Sequence, residues 1–216
     1  MSEHQPAEQT ATDGRLRRGD LTRRAVLQRA VDVASVDGLD GLSIGLLANE
    51  LAISKSGLFA HFGAKEELQL ATIRAARAIF ARTVVAPAMA APPGLTRVRA
   101  LLESWLDYSR HREFPGGCFF SRATHEYAAR PGAIRDALAA VDVEWLALIT
   151  QTIQEAKELG EISSDTVPEQ LAFELDAFLE SANLRSLLGS GQEVYDRARV
   201  SVRARLEAAS AGVPLP

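Results

Sequence analysis

Ser54, Lys55, Ser56 and Gly57 stand in a row between two short stretches of apolar periodicity. Two hydroxyls, an ammonium group and a residue with no side chain give hydrogen-bond donors and positive charge on a surface low enough to enter a groove. That set suits contact with phosphates and base edges, with Lys55 as a charge for a phosphate and the serines for either partner. Upstream, Arg15, Arg17, Arg18, Arg23, Arg24 and Arg29 lie within fifteen residues and are opposed only by Asp20. Read alone, such a run is also compatible with a solvated helix face.

These residues need elements to hold them. From Leu21 the apolar spacing is helical, with Val26, Leu27, Ala30, Val33 and Ala34 in one stripe and Gly38 as the stop. Ser43 reads as an N-cap, followed by Ile44, Leu47, Ala48 and Leu51 on one face. Ala52-Ile53 forms a turn, Ser54 caps a second short helix carrying Leu58, Phe59 and Phe62, and Gly63 ends it. Leu47, Leu51, Ile53 and Leu58 are expected inside, and core packing is the expected role of Phe59 and Phe62. In a helix-turn-helix of this kind the first helix braces the second, whose N-terminal residues reach base edges. The helix starts at Ser43, Ser54 and Lys65 also present free backbone N–H groups to phosphate.

The net charge of −4 runs against nucleic-acid binding until the chain is divided. Residues 1–87 carry 11 Lys and Arg against 10 Asp and Glu, whereas residues 88–216 carry 13 against 18. Local field governs phosphate attraction, because salt screens charges beyond about 10 Å. The 216 residues, 47% hydrophobic and 24% charged, fit one large domain or a small one plus a medium one. No apolar run approaches a membrane span, and the polar start MSEHQPAEQTATDG does not read as a secretion signal. The single cysteine, Cys118, excludes an internal disulfide framework, so a cytoplasmic location is expected.

Residues 1–14 are expected to be disordered. Downstream, helices are predicted from Lys65 to about Val85, Thr96 to His111, Cys118 to Ala129, Ala133 to Leu159, 169 to 188 and Gln192 to Ala209. Pro87, Pro92, Pro93 and Gly94 mark a break. Ile134, Leu138, Val141, Trp145, Leu148 and Thr152 form a packing seam, whereas residues 169–188 are apolar on more than one face. Such a helix has a second subunit as its natural cover. The architecture is therefore all-α with about nine helices, divided into a tail (1–14), a DNA-binding head (15–64) and a body (65–216).

Other chemistry finds little footing. His111, Cys118, His125 and Glu126 are too widely spaced for a structural zinc site, so no metal and no cofactor is expected. Cys118 reads as a small buried residue at a helix start rather than a redox sensor. Glu155 and Glu158 share a helix face but resemble a solvated surface. With no phosphate loop, nucleophile elbow or dinucleotide fingerprint, an enzyme is not expected. Most body aromatics are read as core. Trp105, Tyr108, Phe120, Trp145 and Phe178, with Arg122 and His125 as polar fixers, are the candidates to line a ligand cavity between helices.

Residues 21–67, and above all SKSGLFAHFGAKEEL, resemble the DNA-binding domain of the TetR family of transcriptional regulators. The resemblance spans about 45 residues without a gap and extends weakly to the turn Gly116-Gly117-Cys118-Phe119-Phe120. It implies a homodimer, formed through the last two helices, that binds an inverted-repeat operator in double-stranded DNA and releases it when a small molecule enters the body. Carried over by position, the DNA contacts are Thr22, Arg23, Arg24, Ser43, Ser54, Lys55, Ser56, Gly57, Phe59, His61 and Lys65, with Ser56 and Gly57 nearest to bases. Structural roles stay open for His61, as a helix-terminal hydrogen-bonding group, and for Lys65, as a solvated cation. The sequence departs from the family at Ala52, where glycine is usual, and at Phe59, where tyrosine is usual. The alternative is a helical module that binds a small molecule or protein and touches DNA only nonspecifically.

Overall fold

The computed structural model describes the backbone of residues 7–213 and the side chains of residues 21–213. The helices are α1 (Ala7–Asp37), α2 (Ile44–Glu50), α3 (Lys55–Phe62), α4 (Lys65–Phe80), α5 (Ala86–Met89), α6 (Leu95–Arg110), α7 (Phe119–Tyr127), α8 (Ala133–Glu158), α9 (Pro168–Leu187) and α10 (Glu193–Ala209). A π-helical turn, Ala81–Val85, joins α4 to α5, so Lys65–Met89 is one continuous rod and the described residues form nine rods. The only bridge of β type among them pairs Ile162 with Ser210. No helix among them is long and apolar enough to cross a membrane.

Two boundaries differ from expectation. Helix α1 begins at Ala7 rather than near Leu21, so the disorder expected up to residue 14 does not describe residues 7–14. That segment contains alanine, glutamate and glutamine, good helix formers, and no proline to stop a helix running back from the anchored stripe. Residues 1–6, and the side chains of Arg15, Arg17 and Arg18, lie outside the described residues. The second difference is at Pro87, which does not end its rod. Proline has no N–H to donate, and its ring collides with the carbonyl four residues back in a regular helix. The π-helical turn just before it changes the local hydrogen-bonding register and carries the rod to Met89.

The head is α1 to α3. Helix α4 leaves it and packs on both α1 and α8, and α7 likewise packs on both, so two helices tie head to body. In the body, α9 lies between α8 and α10, and α6 packs across α8, α9 and α10. One apolar core runs through all of this, from Val26, Leu47 and Leu58 to Trp105, Phe119, Leu175 and Leu206. Each large buried side chain contributes roughly 1.5–3 kcal/mol.

Candidate nucleic-acid interface and ligand cavity

The two short helices are capped as their sequence predicts. Leu46 N–H donates to Ser43 Oγ at 3.0 Å, and Gly57 N–H donates to Ser54 Oγ at 3.1 Å. Each serine uses an acceptor lone pair for the cap and keeps its own proton as a donor. A Cβ on Gly57 would stand 2.9 Å from Ser54 Oγ, so glycine is what lets the cap close on itself. The turn between the helices places Ala52 at φ 53°, left-handed territory in which a Cβ is strained. Ala52→Gly is therefore expected to stabilise the chain by about 0.5–1 kcal/mol, read as a rise in denaturation midpoint.

Ile44 and Gly45 of α2 and Lys55, Ser56, Phe59 and Ala60 of α3 line one shallow, open groove. Lys55, Ser56 and Gly57 are all exposed at its edge, and His61 is exposed at the far end of α3. Phe62 is 5% exposed and serves the core, as expected, but Phe59 is 56% exposed. The core reading fails for Phe59 because each helix residue steps by about 100°, so the docking that covers Leu58 and Phe62 leaves this neighbouring ring beyond the covered face.

The basic residues are partly engaged. The Arg23 guanidinium lies 5.2 Å from the centroid of the Phe62 ring. Arg29 makes two hydrogen bonds to Glu50, at 2.7 and 3.0 Å, bracing α1 against α2. Arg24 is exposed and Thr22 half-buried on α1. Lys65 does more than face solvent: its Nζ donates to Asp40 O at 2.7 Å and lies 3.9 Å from Asp40 Oδ1.

The loop between α1 and α2 is held from the body. Leu39 N–H and Asp40 N–H donate to the Glu126 carboxylate at 2.8 and 2.9 Å. Tyr127 OH donates to Asp40 Oδ1 at 2.7 Å, Arg130 donates to Oδ2 at 2.5 Å, and Gln69 Nε2 donates to Leu39 O at 2.8 Å. The Tyr127 and Arg130 hydrogen bonds hold the Asp40 carboxyl below its usual pKa. Burial, then the bond to Asp40, pushes the Tyr127 phenol up to about 12. Residues from α4 and α7 thus converge on one loop of the head.

A cavity of about 220 Å³ opens between α4, α6, α7, α8 and α9. Of the residues expected to line one, Trp105, Phe120, His125 and Trp145 do. Tyr108 does not, because its ring is packed edge-to-face against Phe80 and Phe114 deeper in the core. Phe178 packs against the core without facing the cavity, and Arg122 lies on the outer side of α7, where Nε donates to Val36 O at 3.4 Å. Among the lining residues that sequence reasoning missed are three acids, Asp142, Asp176 and Glu180, together with Phe80 and Ser121. Trp145 Nε1–H donates to Asp176 Oδ1 at 2.8 Å, and Ser121 Oγ lies 2.7 and 2.6 Å from the two Glu180 oxygens. Burial raises the pKa of both carboxyls. Asp176 and Glu180 are four residues apart on α9, so an i, i+4 acid pair inside a helix apolar nearly all round was the available signal.

Cys118 caps α7, is buried, and has its thiol pushed up to about 11 by burial. No cluster of three or more His, Cys, Asp or Glu among the described residues is arranged to hold a metal ion. Glu155 is not merely solvated: it pairs with Arg97 at 3.0 Å, whereas Glu158 accepts from Gln154 at the surface.

A capped helix-turn-helix on a helical body with an internal cavity defines a class: a DNA-binding regulator. Comparison with known proteins specifies it. Residues 26–72 match the family described as bacterial regulatory proteins, tetR family. Residues 94–202 match the family described as tetracyclin repressor-like, C-terminal domain. The chain belongs to the TetR family of transcriptional regulators. Transcriptional regulator AcuR of Cereibacter sphaeroides is 25% identical over 171 residues, 78% of this chain and 77% of that protein. Among solved structures, a TetR transcriptional regulator from Chloroflexus aurantiacus J-10-FL superposes with a TM-score of 0.83 at 22% identity, covering 90% of this chain and 98% of that one; this likeness speaks for the fold alone. A cysteine mutant of the TetR family regulator CifR, complexed with 26-base-pair double-strand operator DNA, is 27% identical with a TM-score of 0.65, covering 85% and 94% of the two chains.

Proposed function

We propose that the chain is a homodimeric repressor that holds a palindromic operator through α3 and releases it when a small molecule enters the body cavity. The observation that carries the DNA reading is the open groove of α2 and α3, where Lys55, Ser56 and Gly57 stand exposed beside two capped helix starts. Ser56 and Gly57 face bases, and Ser43, Ser54, Lys55, His61 and Phe59 flank the groove. Thr22, Arg23, Arg24 and Lys65 reach phosphates from the sides. The CifR cysteine mutant, a TetR family regulator, is seen complexed with operator DNA.

A short recognition helix reads few bases alone, so the protein works as a pair with half-sites about 34–36 Å apart. The supporting feature is uncovered apolar surface on the last two helices: Phe173, Leu184 and Leu187 of α9, Leu188 just past its end, and Val200 of α10, with Phe173 64% and Leu188 75% exposed. Symmetric burial of such a patch is the usual solution for a homodimer.

Release follows from shared elements. Phe80 of α4 and Phe120, Ser121, Thr124 and His125 of α7 line the cavity. Gln69 of α4 and Glu126 and Tyr127 of α7 grip the head loop. A ligand that shifts α4 and α7 therefore shifts the loop that positions α2 and α3, by as much as its affinity differs between the two states.

Two substitutions test the DNA assignment. Lys55→Ala should weaken binding to all duplexes about equally and lower the salt slope by about one, whereas Ser56→Ala should change sequence preference. If neither variant alters binding, α3 is not the recognition helix.

A further inference from the structure

Given the ligand-binding reading of the cavity, we infer that its ligand is a small organic cation, an amine or alkylammonium with an apolar body. Three acidic side chains line it with no lysine or arginine: Asp176 and Glu180 of α9, both half-buried, and Asp142 of α8, which is exposed. The basic residue present is His125 of α7, whose Nδ1 lies 2.6 Å from Ser121 O. Elsewhere in the body, acids at helix interfaces are matched to arginines: Glu155 to Arg97, Glu103 to Arg199 and Glu174 to Arg205. None of the three cavity acids is in an ion pair among the described residues. Holding Asp176 and Glu180 partly out of water without an ionic partner is costly, and a bound cation supplies the missing charge.

The hydrogen bonds leave room for that partner. Ser121 Oγ has one proton for the two Glu180 oxygens, so most of that carboxylate's acceptor capacity remains. Asp176 uses Oδ1 for the Trp145 indole, which fixes the indole ring at the cavity wall.

The walls select an organic ion over a hydrated metal ion. Phe80, Trp105, Phe120 and Trp145 surround the space, and Phe80 meets the rings of Phe120 and Trp145 edge-to-face at 5.8 and 5.2 Å. Aromatic rings attract alkylated ammonium groups through their quadrupoles, most strongly where water is excluded.

The direction of pH dependence follows. Both α9 carboxyls are raised by burial, and Asp142 raises them further. Cys118 and His125 face the cavity from the α7 side, and the α4 and α6 walls contribute only aromatic rings. Affinity for a permanently charged cation should strengthen as pH rises through the raised carboxyl pKa values and fade toward acid.

Calorimetry and thermal unfolding of the full chain, with tetramethylammonium, tetraethylammonium and benzyltrimethylammonium as graded probes, test the inference. Benzyl alcohol and phenylacetate serve as neutral and anionic controls. The expected result is binding by a member of the cation series and not by the controls. Asp176→Asn and Glu180→Gln should each weaken that binding on the order of tenfold or more. The same variants should raise the unfolding midpoint of the free protein near neutral pH, a change that misfolding does not produce. Binding of benzyl alcohol or phenylacetate without binding of the cations would overturn the cation class and leave the ligand-binding reading standing. Cation binding indifferent to both substitutions would overturn the assignment to these carboxylates. Absence of binding by every probe would overturn the ligand-binding reading together with the inference.

Discussion

Gly116→Ala is expected to lower stability by about 3 kcal/mol, at the upper end of what forced overpacking costs. A Cβ on Gly116 would lie 1.9 Å from Ser35 O and 2.3 Å from Ser35 C, main-chain atoms in the last turn of α1 that have no rotamer to escape into. The glycine also donates its N–H to Ser35 Oγ at 3.0 Å, and that hydroxyl donates in turn to Asp32 O. Alanine must therefore push the loop before α7 away from α1 and break the bond that registers them. For a chain of this size, each kcal/mol shifts the unfolding midpoint by roughly 2–4 °C, so a fall of about 6–12 °C is expected. Operator affinity should fall too, because α1 carries the head. An unchanged midpoint would show that this loop does not press on α1.

Glu126→Ala should cost about 2–3 kcal/mol, because it leaves Leu39 N–H and Asp40 N–H without the charged acceptor that serves both. Glu126→Gln keeps one acceptor oxygen and should lose about half as much. The functional effect is the more informative one. Glu126 directly follows the cavity residue His125 on α7, so its loss should loosen the α1–α2 loop, weaken operator binding and blunt any release caused by ligand. Denaturation midpoints and fluorescence anisotropy on operator DNA measure the two effects separately. Lost stability with intact operator binding and intact release would remove α7 from the route between cavity and head.

The head was legible in the sequence because its signals are local. Ser43 and Ser54 announce helix starts within three residues of the amides they cap, and Leu47 and Leu58 follow the helical period into the core. The body helices matched their expected spans within a few residues for the same reason. What depended on distant partners was not legible. Phe59 and Phe62 look alike in the sequence, and only the docking of α3 decides which one is covered. Gly116 reads as a loop glycine until α1, about eighty residues away, is placed against it. The π-helical turn before Pro87 leaves no compositional trace. The cavity was half visible: Trp105, Phe120 and Trp145 were expected at it, whereas Phe80, Asp176 and Glu180 were not, because long-range packing rather than spacing brings them there.

The central claim is sequence-specific recognition by a paired head, and selection from a library of random duplexes at near-physiological salt tests it most directly. The predicted result is enrichment of an inverted repeat whose half-sites lie about one helical turn apart, 10–10.5 base pairs centre to centre. Retention of duplexes with no shared motif, with affinity that simply falls as salt rises, would contradict it and leave a helical module with only phosphate contacts.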